Sequence, residues 1–198
     1  MRVLIGVPTY ETIYPETFKS IYGLQVPEGV TCQFDFVKGY GVAKARNELA
    51  KEAIEYNFDY ILMIDSDIIV PSNTLVSMLN GALDICLGIY PRKNTKDGFA
   101  ELFKLGHHDF VNRYTFDELD SMPKAKFEVK GGGYGCVLIR TDIIPTFDYP
   151  WFRYIEYKDG TLLSEDNWFS NQAAQLGYTV YADNAVRCGH AIRNFQWR

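Results

Sequence analysis

Five consecutive apolar residues, Tyr60 to Ile64, run straight into Asp65-Ser66-Asp67. An unbroken apolar run of this length that stops on charge is a strand buried on both faces, as in parallel sheets. Parallel strands cannot be joined by tight hairpins and need long crossovers. Helices should therefore alternate with strands around it, and the flanking sequence supplies them. Val3 to Val7 is a short apolar run closed by Pro8. Pro15 suits the first position of a helix that sets Phe18, Ile21 and Tyr22 on one face. Cys32 to Val37 alternates as a strand, and after Gly39-Tyr40-Gly41 a helix from Val42 to Tyr56 would bury Ala45, Leu49, Ala53 and Tyr56 and expose Glu48 and Glu52. Beyond the acidic motif, Pro71-Ser72-Asn73 opens a helix ending at Gly81, and Ile85 to Tyr90 forms a further strand. This order predicts an α/β domain with a mainly parallel central sheet and helices on both faces.

The second half is less regular. Pro91 to Lys130 carries one helical stretch, Phe116 to Met122, and otherwise reads as substrate-specific loops. Gly131-Gly132-Gly133-Tyr134-Gly135 leads into an apolar strand, Cys136 to Ile139. Ser164 is placed to cap a helix through Phe169 and Ala173 to Leu176, where Gly177 stops it, and Tyr178 to Ala182 is the last strand. There is no repeat, linker or low-complexity segment, and 198 residues at 47% hydrophobic and 23% charged can bury a full core. A single domain, 1–198, is expected.

A formal net charge of -5 and a pI near 5.2 argue against a nucleic-acid partner, which needs clustered Lys and Arg. Cys32, Cys86, Cys136 and Cys188 show no CxxC spacing and read as reduced core residues, not as disulfides or a zinc site. No apolar run reaches the length of a signal h-region or a membrane span, so a cytoplasmic protein is expected, with peripheral membrane contact left open.

Asp65 and Asp67 leave the C-terminal end of a buried strand, where ligands bind in open α/β sheets. If the segment stays extended, residues two apart face the same way, so both carboxylates could address one cation while Ser66 points back into the fold. An all-oxygen set of this kind suits Mn²⁺ or Mg²⁺, which leave positions open for phosphate oxygens. The plainer reading makes Asp65 a polar strand end and Asp67 a turn residue.

Across nearly its whole length the chain resembles the GT-A glycosyltransferases, and in particular the DxD-containing members of the family 2 type. Pro8-Thr9-Tyr10-Glu11 after the first strand looks like the family's nucleotide-contacting loop, and Ala45-Arg46-Asn47 like its helix motif ahead of the DxD strand. Ser164-Glu165-Asp166 resembles the acidic motif that supplies the base in inverting members, and Cys188-Gly189-His190 the late histidine that completes the metal shell. The resemblance implies donor contacts at Pro8, Thr9, Tyr10, Glu11, Arg46, Asn47 and Asp65, and metal contacts at Asp65, Asp67 and His190. It implies catalysis by Asp166 with Glu165 beside it. Residues 1–90 would be the nucleotide-binding half and 91–198 the acceptor-binding and catalytic half. The implied activity is metal-dependent transfer of a sugar from a nucleotide diphosphate-sugar to a glycan or other hydroxyl acceptor, with inversion preferred. The short acceptor region departs from the larger members.

Other residues carry weaker signals. Arg46 could reach a phosphate or ribose, and Arg92 with Lys93 follows a strand end where a cation can hold a leaving group. Gly131 to Gly133 could let backbone approach a sugar closely, although it lacks the P-loop pattern. Tyr10, Tyr134 and Trp168 could stack on a base or sugar, or simply fill the core. Ser164-Glu165-Asp166 is also favourable helix-start chemistry. Two rival functions stay open. One is a DxD phosphatase, although there the motif normally lies on the first strand and here Ile69 occupies the position usually held by Thr or Val. The other is a nucleotide-sugar-binding protein without turnover.

Overall fold

A computed structural model describes residues 1–92, 98–106 and 112–191. The first half runs β1 (Arg2–Thr9), α1 (Pro15–Tyr22), β2 (Thr31–Lys38), α2 (Val42–Glu55), β3 (Tyr60–Ile64), β4 (Ile68–Ile69), α3 (Thr74–Leu79) and β5 (Ile85–Ile89). The second half begins with β6 (Phe99–Phe103), β7 (Arg113–Thr115), α4 (Phe116–Ser121), β8 (Lys126–Val129), β9 (Gly131–Gly132) and β10 (Cys136–Arg140). A 3₁₀ turn (Thr141–Thr146) then leads to the hairpin β11 (Ile155–Glu156) and β12 (Leu162–Leu163), α5 (Glu165–Gln175), β13 (Val180–Arg187) and β14 (Gly189–His190).

The main sheet has seven strands in the order β2-β1-β3-β10-β5-β13-β8. β1 pairs in parallel with β2 and β3, and β5 with β13. β10 lies antiparallel between β3 and β5, and β8 antiparallel along β13. The predicted parallel character thus holds for β2, β1, β3, β5 and β13. The exception has a simple cause. Between β5 and β10 the chain builds a small sheet, β7-β6-β9, and the edge strand β8, and it then enters β10 from the C-terminal edge, where Gly135 meets Asp65, so β10 must run the other way.

Alternation along β3 divides the core into two layers. Ile61 and Met63 join Leu4, Leu49, Ala53, Phe169 and Ala173 beneath α2 and α5. Tyr60, Leu62 and Ile64 join Val3, Ile5, Ile21, Leu75 and Met78 beneath α1 and α3. α2 lies close on β1 because position 6 is glycine: a Cβ there would stand 3.0 Å from Leu49 Cδ2. Four expected core residues are exposed instead. In α1 the buried positions are Thr17 and Ile21, while Phe18 and Tyr22 face out. Tyr56 caps α2 from outside, and Cys32 is exposed because β2 is the edge strand. No helix among the described residues is long and apolar enough to cross a membrane.

Candidate functional site

The acidic motif sits in a turn whose backbone is pinned from several sides. The Asp65 N–H donates to Gly135 O at 2.9 Å, Ile68 N–H to Asp65 O at 3.0 Å, Tyr14 N–H to Ser66 O at 2.9 Å and Ala191 N–H to Asp67 O at 2.7 Å. The bond from Ile68 back to Asp65 closes a tight turn, which corrects the expectation of an extended segment. The two carboxylates have different partners. Asp65 Oδ1 accepts from Arg46 Nη2 at 2.8 Å, whereas Asp67 Oδ2 lies 3.4 Å from His190 Nε2. Ser66, expected to point back into the fold, instead lines a cleft with both of them.

Two clefts meet on this turn. The first, about 240 Å³, is lined by Pro8, Thr9, Tyr10, Tyr40, Gly41, Val42 and the motif. The second, about 370 Å³, is lined by Asp65, Asp67, Ile68, Tyr90, Arg92, Glu101 and His190. Both open at the C-terminal edge of the parallel strands, where doubly wound sheets bind ligands. A larger hollow of about 650 Å³ lies at the opposite end of the strands beside Met1, Asn57, Arg140 and Asp142, away from these groups. Glu11 is exposed outside both clefts, and Lys93 falls outside the described residues.

Arg46 sits at the centre of the charge distribution, not at its surface. Its guanidinium is 2% exposed and binds Asp65 through Nη2 and Glu165 through Nη1. Burial opposes its charge, but Asp65 and Glu165 outweigh that and hold its pKa above the ordinary value. Burial raises the pKa of Asp65, with Arg46 as the main opposing influence. The expected phosphate or ribose contact of Arg46 is thus replaced by a bridge between the motif and the start of α5. Asn47 is also turned inward. Its Nδ2 donates to Phe152 O at 2.7 Å and Ala43 O at 2.8 Å, while its Oδ1 accepts from Phe152 N–H at 3.2 Å. A side-chain amide used in this way anchors the 150s segment and does not face a donor.

The acidic pair at α5 divides in the same manner. Glu165 is buried against Arg46, while Asp166 is half-buried, its Oδ1 accepting from Ser164 Oγ and, at 2.7 Å, from Asn167 N–H. Ser164 therefore bonds Asp166 and makes no side-chain cap to the helix. Burial, then the neighbouring Glu165, push the Asp166 carboxyl up to about 6 despite Arg46. That value suits a group that must hold and release a proton near neutrality.

His190 Nδ1 lies 3.0 Å from Pro91 O. A carbonyl can only accept, so Nδ1 carries a proton, and in the neutral ring the Nε2 lone pair faces Asp67 Oδ2. Two lone-pair atoms facing each other are compatible when a cation or a proton stands between them, and an Nδ1–H···O=C bond is the usual outer support of a ligating histidine. The donor set fits a divalent cation in this respect. Among the described residues, however, Asp67 and His190 form a pair, and no group of three His, Cys, Asp or Glu side chains converges for a metal.

The glycines of 131–135 make room for protein, not for ligand. A Cβ at Gly133 would lie 2.0 Å from Tyr90 Oη, one at Gly132 2.7 Å from Glu101 O, and one at Gly135 2.8 Å from Tyr90 Cζ. Tyr90 Oη accepts from Gly135 N–H at 3.0 Å, and its ring meets the edge of the His190 ring at a centroid distance of 5.8 Å. Tyr134 is core, bonded to Ser170 Oγ at 3.0 Å, and Trp168 is covered by Arg153 at 4.3 Å. Tyr10 stays exposed at the mouth of the first cleft, opposite Tyr40. Tyr40, Tyr90 and Glu101 were not singled out from the sequence; position at a strand end or loop next to a cleft is the signal they carry, and it appears only once the strands are ordered.

Neither a family model nor any curated protein sequence matches the chain. Solved structures do. GalNAc-T7, solved with UDP, GalNAc and Mn²⁺, superposes with a TM-score of 0.63 at 13% identity, covering 99% of this chain and 45% of that one. S. aureus TarS 1-349, solved with UDP-GlcNAc, gives 0.55 at 15% identity, covering 99% and 60%. The chain has the GT-A fold. The protein A197 from STIV shares it more fully, with a TM-score of 0.66 at 17% identity over 97% of this chain and 86% of that one. The GT-A chain described here spans less than two thirds of GalNAc-T7 and TarS, and at these identities the likeness is one of fold.

Proposed function

We propose that this protein is a metal-dependent glycosyltransferase that moves a sugar from a nucleotide diphosphate-sugar to an acceptor hydroxyl with inversion. The observation that carries the reading is the meeting of two clefts on Asp65-Ser66-Asp67. A nucleoside in the first cleft, between Tyr10 and Tyr40, and a sugar in the second, beside Tyr90 and Glu101, would place the diphosphate over the turn that separates them. Residues 1–90 supply the whole of the first cleft; the second draws on both halves.

Asp67 and His190 would hold a divalent cation, Mn²⁺ or Mg²⁺, which neutralises charge gathering on the diphosphate as it leaves. Arg46 orients Asp65 and, through Glu165, the first turn of α5. Asp166 takes the proton of the acceptor hydroxyl as that oxygen bonds to the anomeric carbon, the anomeric carbon–phosphate oxygen bond breaks, and the nucleoside diphosphate departs with the electron pair. Glu165, committed to Arg46, is a positioning residue. The phosphatase alternative finds no support in the order of elements, since the motif follows the third strand of the chain and not the first.

The test is calorimetric titration with UDP and with GDP, with and without Mn²⁺, on the wild-type protein and Asp67→Ala. The expected result is Mn²⁺-dependent binding of one nucleotide, lost in the variant. Binding that ignores both the metal and the substitution would refute the assignment of the turn.

A further inference from the structure

Glu101 lines the second cleft together with the motif and has an unusual setting. Arg92 Nε stands 3.1 Å and Arg113 Nε 3.2 Å from the same oxygen, Oε1. Arg113 is itself laid over the Phe103 ring at 4.5 Å and does not line the cleft, whereas Glu101 does. Among the described residues no side-chain hydrogen bond of Glu101 is found, so the carboxylate keeps acceptor capacity on its cleft side. Its backbone is fixed on both sides. Glu101 N–H donates to Tyr90 O at 3.1 Å and Gly133 N–H donates to Glu101 O at 3.0 Å. Tyr90 Oη already accepts from Gly135, so its own hydrogen is available to an acceptor in the cleft.

A fixed acceptor beside a fixed donor matches a hydroxyl group, which both donates and accepts. A carboxylate substituent matches poorly. It would meet the Glu101 carboxylate at close range, and Arg92, the guanidinium that lines the cleft, is already paired with Glu101 Oε1. On the glycosyltransferase reading, on which this inference rests, we propose that Glu101 and Tyr90 form the sugar-selecting end of the site. The pair accepts neutral hydroxylated sugars and rejects uronic acids, with Glu101 occupying Arg92, which would otherwise capture a sugar carboxylate.

The test uses calorimetry in Mn²⁺ with UDP, UDP-glucose and UDP-glucuronate. The wild-type protein should bind UDP-glucose about tenfold more tightly than UDP-glucuronate, the scale of one charge-assisted contact. Glu101→Gln should bring that ratio to one or invert it, with UDP affinity unchanged, because Arg92 is then released toward a uronate. Glu101→Asp, which keeps the charge, should retain a preference for UDP-glucose. A wild-type protein that binds the two sugars equally overturns the proposal without any variant, and so does a Gln variant with an unaltered ratio. If GDP binds in place of UDP, the same comparison is made with GDP-glucose and GDP-glucuronate; failure of UDP and GDP alike to bind would strike the underlying donor-site reading, and is told apart by the nucleotide arms alone.

Discussion

Replacing Arg46 with Met should cost more stability than any other single change at the site. Arg46 is 2% exposed and bonded to Asp65 and Glu165, so Met keeps much of the volume and removes the cation from between two carboxylates. Breaking a buried pair from one side typically costs about 3–5 kcal/mol, because the remaining charge is left uncompensated. For a chain of this size each kcal/mol lowers Tm by about 2–4 °C, which gives a fall of about 6–20 °C. The loss should depend on pH. Asp65 is already held above its ordinary pKa by burial, and Arg46 is the main influence opposing that rise. Without Arg46 the folded variant would hold the Asp65 proton still more tightly than the unfolded chain does. Stability then falls as pH rises through the window between the two values. Thermal unfolding followed by circular dichroism at about pH 5 and about pH 8 should therefore show a smaller deficit at the lower pH. Arg46→Lys, which keeps the charge but not the fork that reaches two carboxylates, should fall between wild type and Met. A deficit below about 1 kcal/mol, or one equal at both pH values, would refute the account of Arg46 as the compensating charge.

Asp166, pushed up to about 6, must be ionised to accept a proton, so kcat/KM should fall as pH drops through that value, and Asp166→Asn should lower kcat about a hundredfold or more with nucleotide affinity retained. A flat profile from below that value to neutrality would remove it as the base. Gly133→Ala places a methyl group 2.0 Å from Tyr90 Oη, and the forced shift should cost about 1–3 kcal/mol in chemical denaturation; Tyr90→Phe in the same chain should recover part of it. Glu52 stands at about 7 because of burial and the neighbouring Asp35, so the folded chain holds that proton more tightly than the unfolded one and loses stability as pH rises from the ordinary carboxyl range to about 7. Glu52→Gln should accordingly raise Tm by about 2 °C above pH 7 and leave it unchanged near pH 5, a small effect because the side chain is partly solvated.

Much of the architecture is legible in the chain because it is local. Tyr60 to Ile64 announces a strand buried on both faces, and Leu49 and Ala53 fall where a helix of period 3.6 must bury them. The direction of β10 is not local. It follows from where the chain spends residues 90–135, and the apolar run Cys136 to Ile139 reads the same in either direction. The site divides along the same line. Pro8, Thr9, Tyr10, Asp65, Asp67 and His190 are found together at the sheet edge because each terminates or follows an apolar strand. Arg46 is visible as a candidate, but its partners lie 19 and 119 residues away, so no spacing reveals that it faces inward. Gly131 to Gly133 show that space is needed without showing what fills it, and the answer, Tyr90, is 45 residues from Gly135. The turn at Asp65–Asp67 is likewise imposed by Tyr14, Gly135 and Ala191, all distant in sequence.

The arrangement has an electrostatic logic of its own. Burial raises Asp65 and Asp166 most; Arg46 opposes the rise at both, Glu165 adds to it at both, and Asp67 adds to it at Asp65. One buried cation thus serves several carboxylates at once. A cluster of like charges with a single compensating partner is costly to keep folded unless something else offsets it, and such local conflicts are characteristic of sites that bind a ligand of opposite charge. Under the proposed reading, a divalent cation at Asp67 and His190 would favour the ionised form of Asp65 and with it the ion pair to Arg46, which also holds Glu165 at the helix start that carries Asp166. Donor binding and the setting of the base would then be coupled through Arg46 without any movement of the backbone, because the guanidinium already touches both ends of the connection.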